Sequence, residues 1–146
     1  MELLVRPGSI EEVVQLQSLI PEFVNPHRKA EYVSRLTGAE HVVLIAELNG
    51  DPVGFKVGYD RFLDGEVFYS WMGGVLPEHR GKKIAKLLLE KMMIWCKVKG
   101  YKILKFKTLN KHRAMIRFAI SQGFEVVDFE PCTPNADSKI YFQKHI

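Results

Sequence analysis

The chain is poor in cysteine: 146 residues contain only Cys96 and Cys132. So few sulfurs, so far apart, exclude a disulfide framework and provide no metal-ligand spacing, so no metal is expected. Long apolar runs are missing as well, and none reaches the roughly 20 residues needed to span a bilayer. The opening residues Met1–Arg6 lack the basic and apolar regions of a signal peptide, so a cytoplasmic location is expected. Acids are scarce in one stretch: between Arg80 and Lys107 only Glu90 is acidic, although lysines are frequent there.

What is present describes one ordinary globular domain over residues 1–146. Hydrophobic residues make up 47% and charged residues 26%, enough to bury a sizeable core without disulfides or metals. The net charge of +4 admits either a nucleic-acid partner or a phosphorylated ligand. No recognised nucleic-acid motif appears, and the lysines accompany a phosphate-type loop, which makes a basic nucleic-acid-binding module the weakest of the readings.

Along the chain, Met1–Arg6 reads as a strand ended by Pro7-Gly8. Ser9 and Glu12 form a capping-box pair ahead of an apolar helical repeat from Ile10 to Ile20. A short helix over Lys29–Leu36 follows. His41–Leu48 and Val53–Tyr59 read as a hairpin about Asn49-Gly50-Asp51, and Glu66–Leu76 as a third strand. In that strand the adjacent Gly73 and Gly74 suggest a bulge, or a place where something approaches the backbone closely. After Pro77 the pattern becomes helical up to Gly100. Tyr101–Leu109 is a strand, His112–Gln122 a helix, and Phe124–Phe129 and Ile140–Ile146 are strands about a Pro131–Asp137 loop. The order β-α-α-β-β-β-α-β-α-β-β predicts a mixed α/β domain around one sheet.

The chemistry concentrates in Val75-Leu76-Pro77-Glu78-His79-Arg80-Gly81-Lys82-Lys83-Ile84-Ala85, where a strand turns directly into a helix. A helix start offers free N–H groups and a positive dipole end, and so takes phosphate readily. Arg80, Lys82 and Lys83 add formal charge, and Gly81 lets backbone approach a ligand closely. A pyrophosphate is the natural guest.

This segment resembles the acyl-CoA signature of the GNAT superfamily of N-acetyltransferases, Gln/Arg-x-x-Gly-x-Gly/Ala after a strand ending Val-x-Pro-Glu-x-Arg-Gly. Arg80 matches the first position and Ala85 the last, while Lys83 replaces the middle glycine. A residue in the first helical turn can hold helical angles without being glycine, so Lys83 is expected to be helical. The later stretch from Asn110 to Gly123-Phe124 resembles the family's Asn-x-x-Ala-x-x-x-Tyr-x-x-x-Gly-Phe, with Ala119 at the tyrosine position and Phe118 one residue away. The family's usual tyrosine acid is thus missing.

The resemblance implies the acyl-CoA N-acyltransferase fold, acetyl-CoA as co-substrate, and direct attack of an acceptor amine on the thioester. It implies cofactor contacts from Val75, Leu76, Arg80, Gly81, Lys82, Lys83, Ile84, Ala85 and Asn110. Asn110 could equally be a helix cap. Val75 amides would polarise the thioester carbonyl. Two parallel strands are expected to splay, forming the cofactor cleft.

For proton transfer the candidates are Tyr69, Glu66 and His112. Glu66 is the carboxylate of the signature strand, at its far end from Val75. Tyr69 shares a face with Trp71, Gly73 and Val75 by alternation, unless a bulge shifts the phase. His112 sits near a helix start, where a neutral imidazole is favoured. The acceptor is an amine, small or peptide, and a homodimer fits the family. A competing reading is a CoA-binding sensor, a degenerate domain without turnover, motivated by Lys83 and the missing tyrosine.

Overall fold

A computed structural model describes residues 2–146. Met1, the first residue of the expected N-terminal strand, lies outside the described residues. The elements are β1 (Leu3–Pro7), α1 (Ile10–Gln17), α2 (Lys29–Leu36), β2 (His41–Leu48), β3 (Asp51–Tyr59) and β4 (Val67–Val75), then α3 (Ile84–Lys99), β5 (Ile103–Leu109), α4 (Arg113–Ser121), β6 (Glu125–Glu130) and β7 (Lys139–His145). The expected order holds throughout. Boundaries move by one to three residues, and single 3-10 turns appear at Pro77–His79 and Asn135–Asp137.

Each element follows from local chemistry. Ser9 caps α1 with the full capping box, its Oγ accepting from the Glu12 amide while Glu12 returns a bond to the Ser9 amide. Helix α3 ends at Gly100 in the left-handed region, φ 94°, with Tyr101 N–H reaching back to the Cys96 carbonyl. Asn49-Gly50 closes the β2–β3 hairpin with both residues at positive φ.

The seven strands form one sheet in the order β1-β2-β3-β4-β5-β7-β6. All neighbours are antiparallel except β4 and β5. One face buries Phe68, Leu104 and Phe142 beneath α3 and α4, with Met92 of α3 in the same cluster. The other buries Ile45 and Phe55 beneath α1 and α2, which add Val13 and Tyr32. Gly58 lets β3 sit tightly on β4 and α3: a Cβ there would lie 2.5 Å from the Phe68 ring and 3.0 Å from the Tyr69 carbonyl oxygen.

Two irregularities of β4 position the site. In the β3–β4 ladder Val57 faces Met72 and Gly58 faces Ser70, so Trp71 is an extra residue on β4. The bulge therefore lies at Trp71 rather than at Gly73-Gly74. It breaks the expected alternation: Tyr69, Trp71 and Met72 all pack towards α1 and α2, whereas Val75 packs on the opposite face. Strands β4 and β5 pair only from Val67–Tyr69 to Ile103–Lys105. Beyond that rung they part, and the splay implied by the resemblance is present as an open wedge.

Candidate functional site

At the outer end of the wedge, β4 runs through the Pro77–His79 turn into the start of α3. Val75, Arg80, Gly81, Lys83, Ile84 and Ala85 line one open cleft of about 360 Å³, joined from α4 by Phe118 and Gln122. Helix α3 has no side-chain cap and no acid in its first turn, so its first amides and its dipole are left unanswered. The first intrahelical bond observed here is Leu87 N–H to the Lys83 carbonyl. The amides ahead of it are free to take an anion.

The turn is held in a specific backbone shape. Gly81 has φ 79° and Lys83 φ 63°, ψ 22°, both in the left-handed region. The expectation that Lys83 would hold helical angles is therefore overturned: it is the residue before the helix, in the conformation that glycine adopts at no steric cost. Its side chain is exposed, so the strain is local to the backbone.

Strand polarity decides which β4 amides face the wedge. Leu76 N–H donates to the Val53 carbonyl at 2.8 Å, on the β3 side. Alternation then turns the Gly73 and Val75 amides the other way, into the wedge. The Val75 carbonyl points out as well, accepting from Arg80 Nε at 3.3 Å.

Arg80 is also tied across the molecule. Its guanidinium makes a two-pronged pair with Glu22, Nη1 to Oε2 at 2.7 Å and Nη2 to Oε1 at 2.9 Å. Glu22 lies in the α1–α2 connection, so the pair stitches that loop to the cofactor turn. Arg80 holds the Glu22 carboxyl below its usual range, first through these hydrogen bonds and then through its charge.

The proposed chemical residues separate. Glu66 precedes β4 in an exposed turn, its carbonyl accepting from Lys102 and Ile103. Nine extended residues, about 30 Å of strand, divide it from Val75, at the far end of the strand where the sequence placed it. Tyr69 is 3% exposed, at the last paired rung before the wedge opens. Burial raises its phenol pKa, opposed by the Arg61 charge, and the Arg61 guanidinium lies 4.9 Å from its ring centroid. His112 precedes α4 with no side-chain cap bond, near Glu22. Asn110 does not cap α4: its Nδ2 donates to the Asn135 carbonyl at 3.2 Å and fastens the end of β5 to the 135–137 turn. Leu76 is buried. Lys82 turns towards His79, with Nζ 3.2 Å from Nδ1.

These features match a known family. The GNAT acetyltransferase family model matches residues 10–124. The chain belongs to this family. No curated protein sequence matches it. Solved structures share its fold at low identity. The ribosomal-protein-S18-alanine N-acetyltransferase of Escherichia coli superposes with TM-score 0.84 at 14% identity, over 99% of this chain and 94% of that one. An acetyltransferase of the GNAT family from Elizabethkingia anophelis, solved with acetyl-CoA bound, gives 0.77 at 18% identity, over 99% and 98%. The Salmonella typhimurium protein yncA, solved with its cofactor acetyl-CoA, gives 0.76 at 21% identity, over 98% and 93%.

Within the GNAT frame two positions read differently in space than along the chain. Ala119, placed at the tyrosine position by counting, is 1% exposed and packs into the core. Phe118 is the α4 residue that lines the cleft. Either way no hydroxyl is supplied.

Lys56 is the residue that sequence reasoning missed. It lies on β3 among buried neighbours, with Nζ 3.9 Å from where a Gly73 Cβ would sit. Burial pulls its amine down to about 8. A lysine amid the apolar run Val53–Tyr59 was the available signal. Glu22 gave none, because its partner is 58 residues away.

Proposed function

We propose that this GNAT domain moves an acetyl group from acetyl-CoA to an acceptor amine by direct attack on the thioester. The observation that carries the proposal is the β4–β5 wedge opening onto the uncapped start of α3. The amides from Gly81 to Ala85 take the pyrophosphate, with Lys83 adding charge. The inward amides of Gly73 and Val75 hold the pantetheine as it runs along β4 away from the pyrophosphate, and the Gly73 amide, nearer the bulge and Tyr69, polarises the thioester carbonyl as negative charge develops on its oxygen.

Attack forms a C–N bond and breaks the C–S bond. One proton must leave the ammonium and one must reach the thiolate. Tyr69 is kept protonated at neutral pH by its burial, which makes it a donor and not a base. It suits the thiolate. His112, ahead of α4 and near Glu22, suits the ammonium proton. The acceptor is a small-molecule or peptide amine.

Calorimetry with acetyl-CoA and CoA, followed by thiol release across an amine panel, tests the proposal. Micromolar binding with turnover is expected, and absence of CoA binding would end it. Tyr69→Phe is expected to lower kcat about 100-fold with little change in KM for acetyl-CoA.

A second reading, a CoA-binding domain without turnover, is favoured by Phe118 occupying the cleft without a hydroxyl. It predicts tight CoA binding and no thiol release. A homodimer would use the exposed edge strand β6, where Val126, Val127 and Phe129 present apolar surface, and sedimentation measures it. Free Cys96 and Cys132 suit a reducing, cytoplasmic setting.

A further inference from the structure

Helix α1 packs on β2 and β3. On that same face β5 and β7 present half-buried or exposed polar residues, Lys105, Lys107, Lys139 and Tyr141. Tyr141 stands opposite Lys107, and Lys139 opposite Leu109. The facing wall comes from α2 and the β3–β4 connection. There the Arg35 guanidinium lies 4.6 Å from the Trp71 ring centroid, and Arg61 covers Tyr69. Lys105 sits between two rings, its Nζ 5.6 Å from the Phe62 centroid and 5.9 Å from that of Tyr141. The result is an aromatic basin with cations laid over its rings, at the inner end of the wedge.

Acids do not balance these cations. Arg35 is matched by Glu31 at 2.8 Å. Lys139 has Glu130 at 3.9 Å, and that carboxylate also accepts from the Tyr141 hydroxyl at 3.1 Å. Asp128 faces Tyr141 across the ladder. Among the described residues Arg61, Lys105 and Lys107 take part in no ion pair. Lys107, an exposed side chain, is held below its ordinary pKa first by partial desolvation and then by the charges of Lys139, Arg61 and Arg35. The cofactor pyrophosphate cannot be what neutralises them. Lys105 pairs with Tyr69, and six strand residues, about 20 Å, separate Tyr69 from Val75 at the cofactor end.

Resting on the acetyl-transfer reading, we infer that the acceptor amine carries an anionic group, a carboxylate or a phosphate, held by Arg61, Lys105 and Lys107 while its apolar part lies against Tyr69, Trp71 and Tyr141. Such a basin discriminates by charge: a neutral analogue leaves cations unpaired in a partly dehydrated site. Carboxylate and phosphate acceptors share this chemistry and are separated by the test.

The test compares matched amines in thiol release: phenylalanine against phenylalaninamide, alanine against alaninamide, and phosphoethanolamine against ethanolamine. The anionic member is expected to have the higher kcat/KM by about tenfold or more in at least one pair. Which pair responds identifies carboxylate or phosphate. Lys105→Gln with Lys107→Gln is expected to erase that preference through KM, whereas Lys91→Gln with Lys97→Gln on α3 removes equal charge and preserves it. Equal use of both members in every pair, or a preference untouched by the Lys105/Lys107 pair, overturns the inference.

A binding readout keeps it separate from turnover. In CoA-bound protein carrying Trp95→Phe, Trp71 fluorescence is titrated with N-acetylphenylalanine, its amide and N-acetylphosphoethanolamine. Response to an anion without any thiol release sustains the basin and sinks the acetyl-transfer reading. Thiol release from neutral amines alone, with no fluorescence response to either anion, does the reverse.

Discussion

Strand β4 has a proposed ligand site at each end, and the two are made of different material. At its outer end the cofactor turn consists of backbone: amides of Gly73 and Val75, the free amides at the start of α3, and two residues in the left-handed region. These groups come from one run of chain. At its inner end the basin consists of side chains: Arg35 from α2, Arg61 and Phe62 from the β3–β4 connection, Tyr69 and Trp71 from β4, Lys105 and Lys107 from β5, and Tyr141 from β7. A backbone site tolerates change in most of its side chains and keeps its ligand. A side-chain site can change specificity one residue at a time without touching the cofactor. That division suits a fold that keeps one donor and varies the acceptor.

The sharpest way to break the comparison is to spoil each end and ask whether the other notices. Ala85→Glu places a carboxylate at the free amides of α3, and CoA affinity measured by calorimetry should fall about 100-fold, some 3 kcal/mol. Because Ala85 is exposed, the melting temperature should hardly move. Lys107→Glu, at the other end, should raise KM for an anionic acceptor about tenfold and leave the CoA dissociation constant unchanged. If either variant damaged both ligands equally, the two sites would not be separable.

Lys56 lies between the two ends and tests what the wedge costs the fold. Its folded amine titrates near 8 against 10.5 unperturbed, so the folded protein holds fewer protons than the unfolded chain within that window. Stability must therefore rise with pH from about 8 to 10.5, and the charged amine is a burden below it. Lys56→Met should stabilise the protein at pH 7 by about 1–3 kcal/mol, with the gain shrinking as pH approaches 10.5. Thermal melts at several pH values measure it. A gain independent of pH would mean that packing, and not charge, is responsible.

Smaller effects sharpen the picture of the cofactor end. Lys83→Gly should relieve the left-handed backbone and add about 1 kcal/mol, a rise of a few degrees in melting temperature. CoA binding should weaken by no more than about threefold, since one exposed charge is lost while the amides remain. A larger loss would mean that Lys83 contacts the phosphate directly as well as adding charge nearby.

Much of the fold was readable from pattern. Helix α3 announced itself by its apolar repeat and by Gly100, and the β2–β3 hairpin by Asn49-Gly50. The cofactor turn was readable because its function resides in consecutive backbone groups, so a short run of sequence carries the whole device. The bulge was misplaced for a physical reason. Gly73-Gly74 looked the more permissive pair, but register is settled by the partner strand, and close packing of Gly58 against Phe68 and Met92 goes with an extra residue at Trp71. The phase error followed, separating Tyr69 and Trp71 from Val75.

Sequence by itself determined the element order, the family, and the strand–turn–helix from Val75 to Ala85, because each depends on interactions between near neighbours in the chain. Only the tertiary structure decided the rest. It turned Phe118 and not Ala119 into the cleft, paired Arg80 with Glu22, and set Arg61 and Lys105 against aromatic rings, with Lys107 beside them. Those outcomes rest on side chains brought together by sheet register and helix rotation, to which no local pattern of residues corresponds.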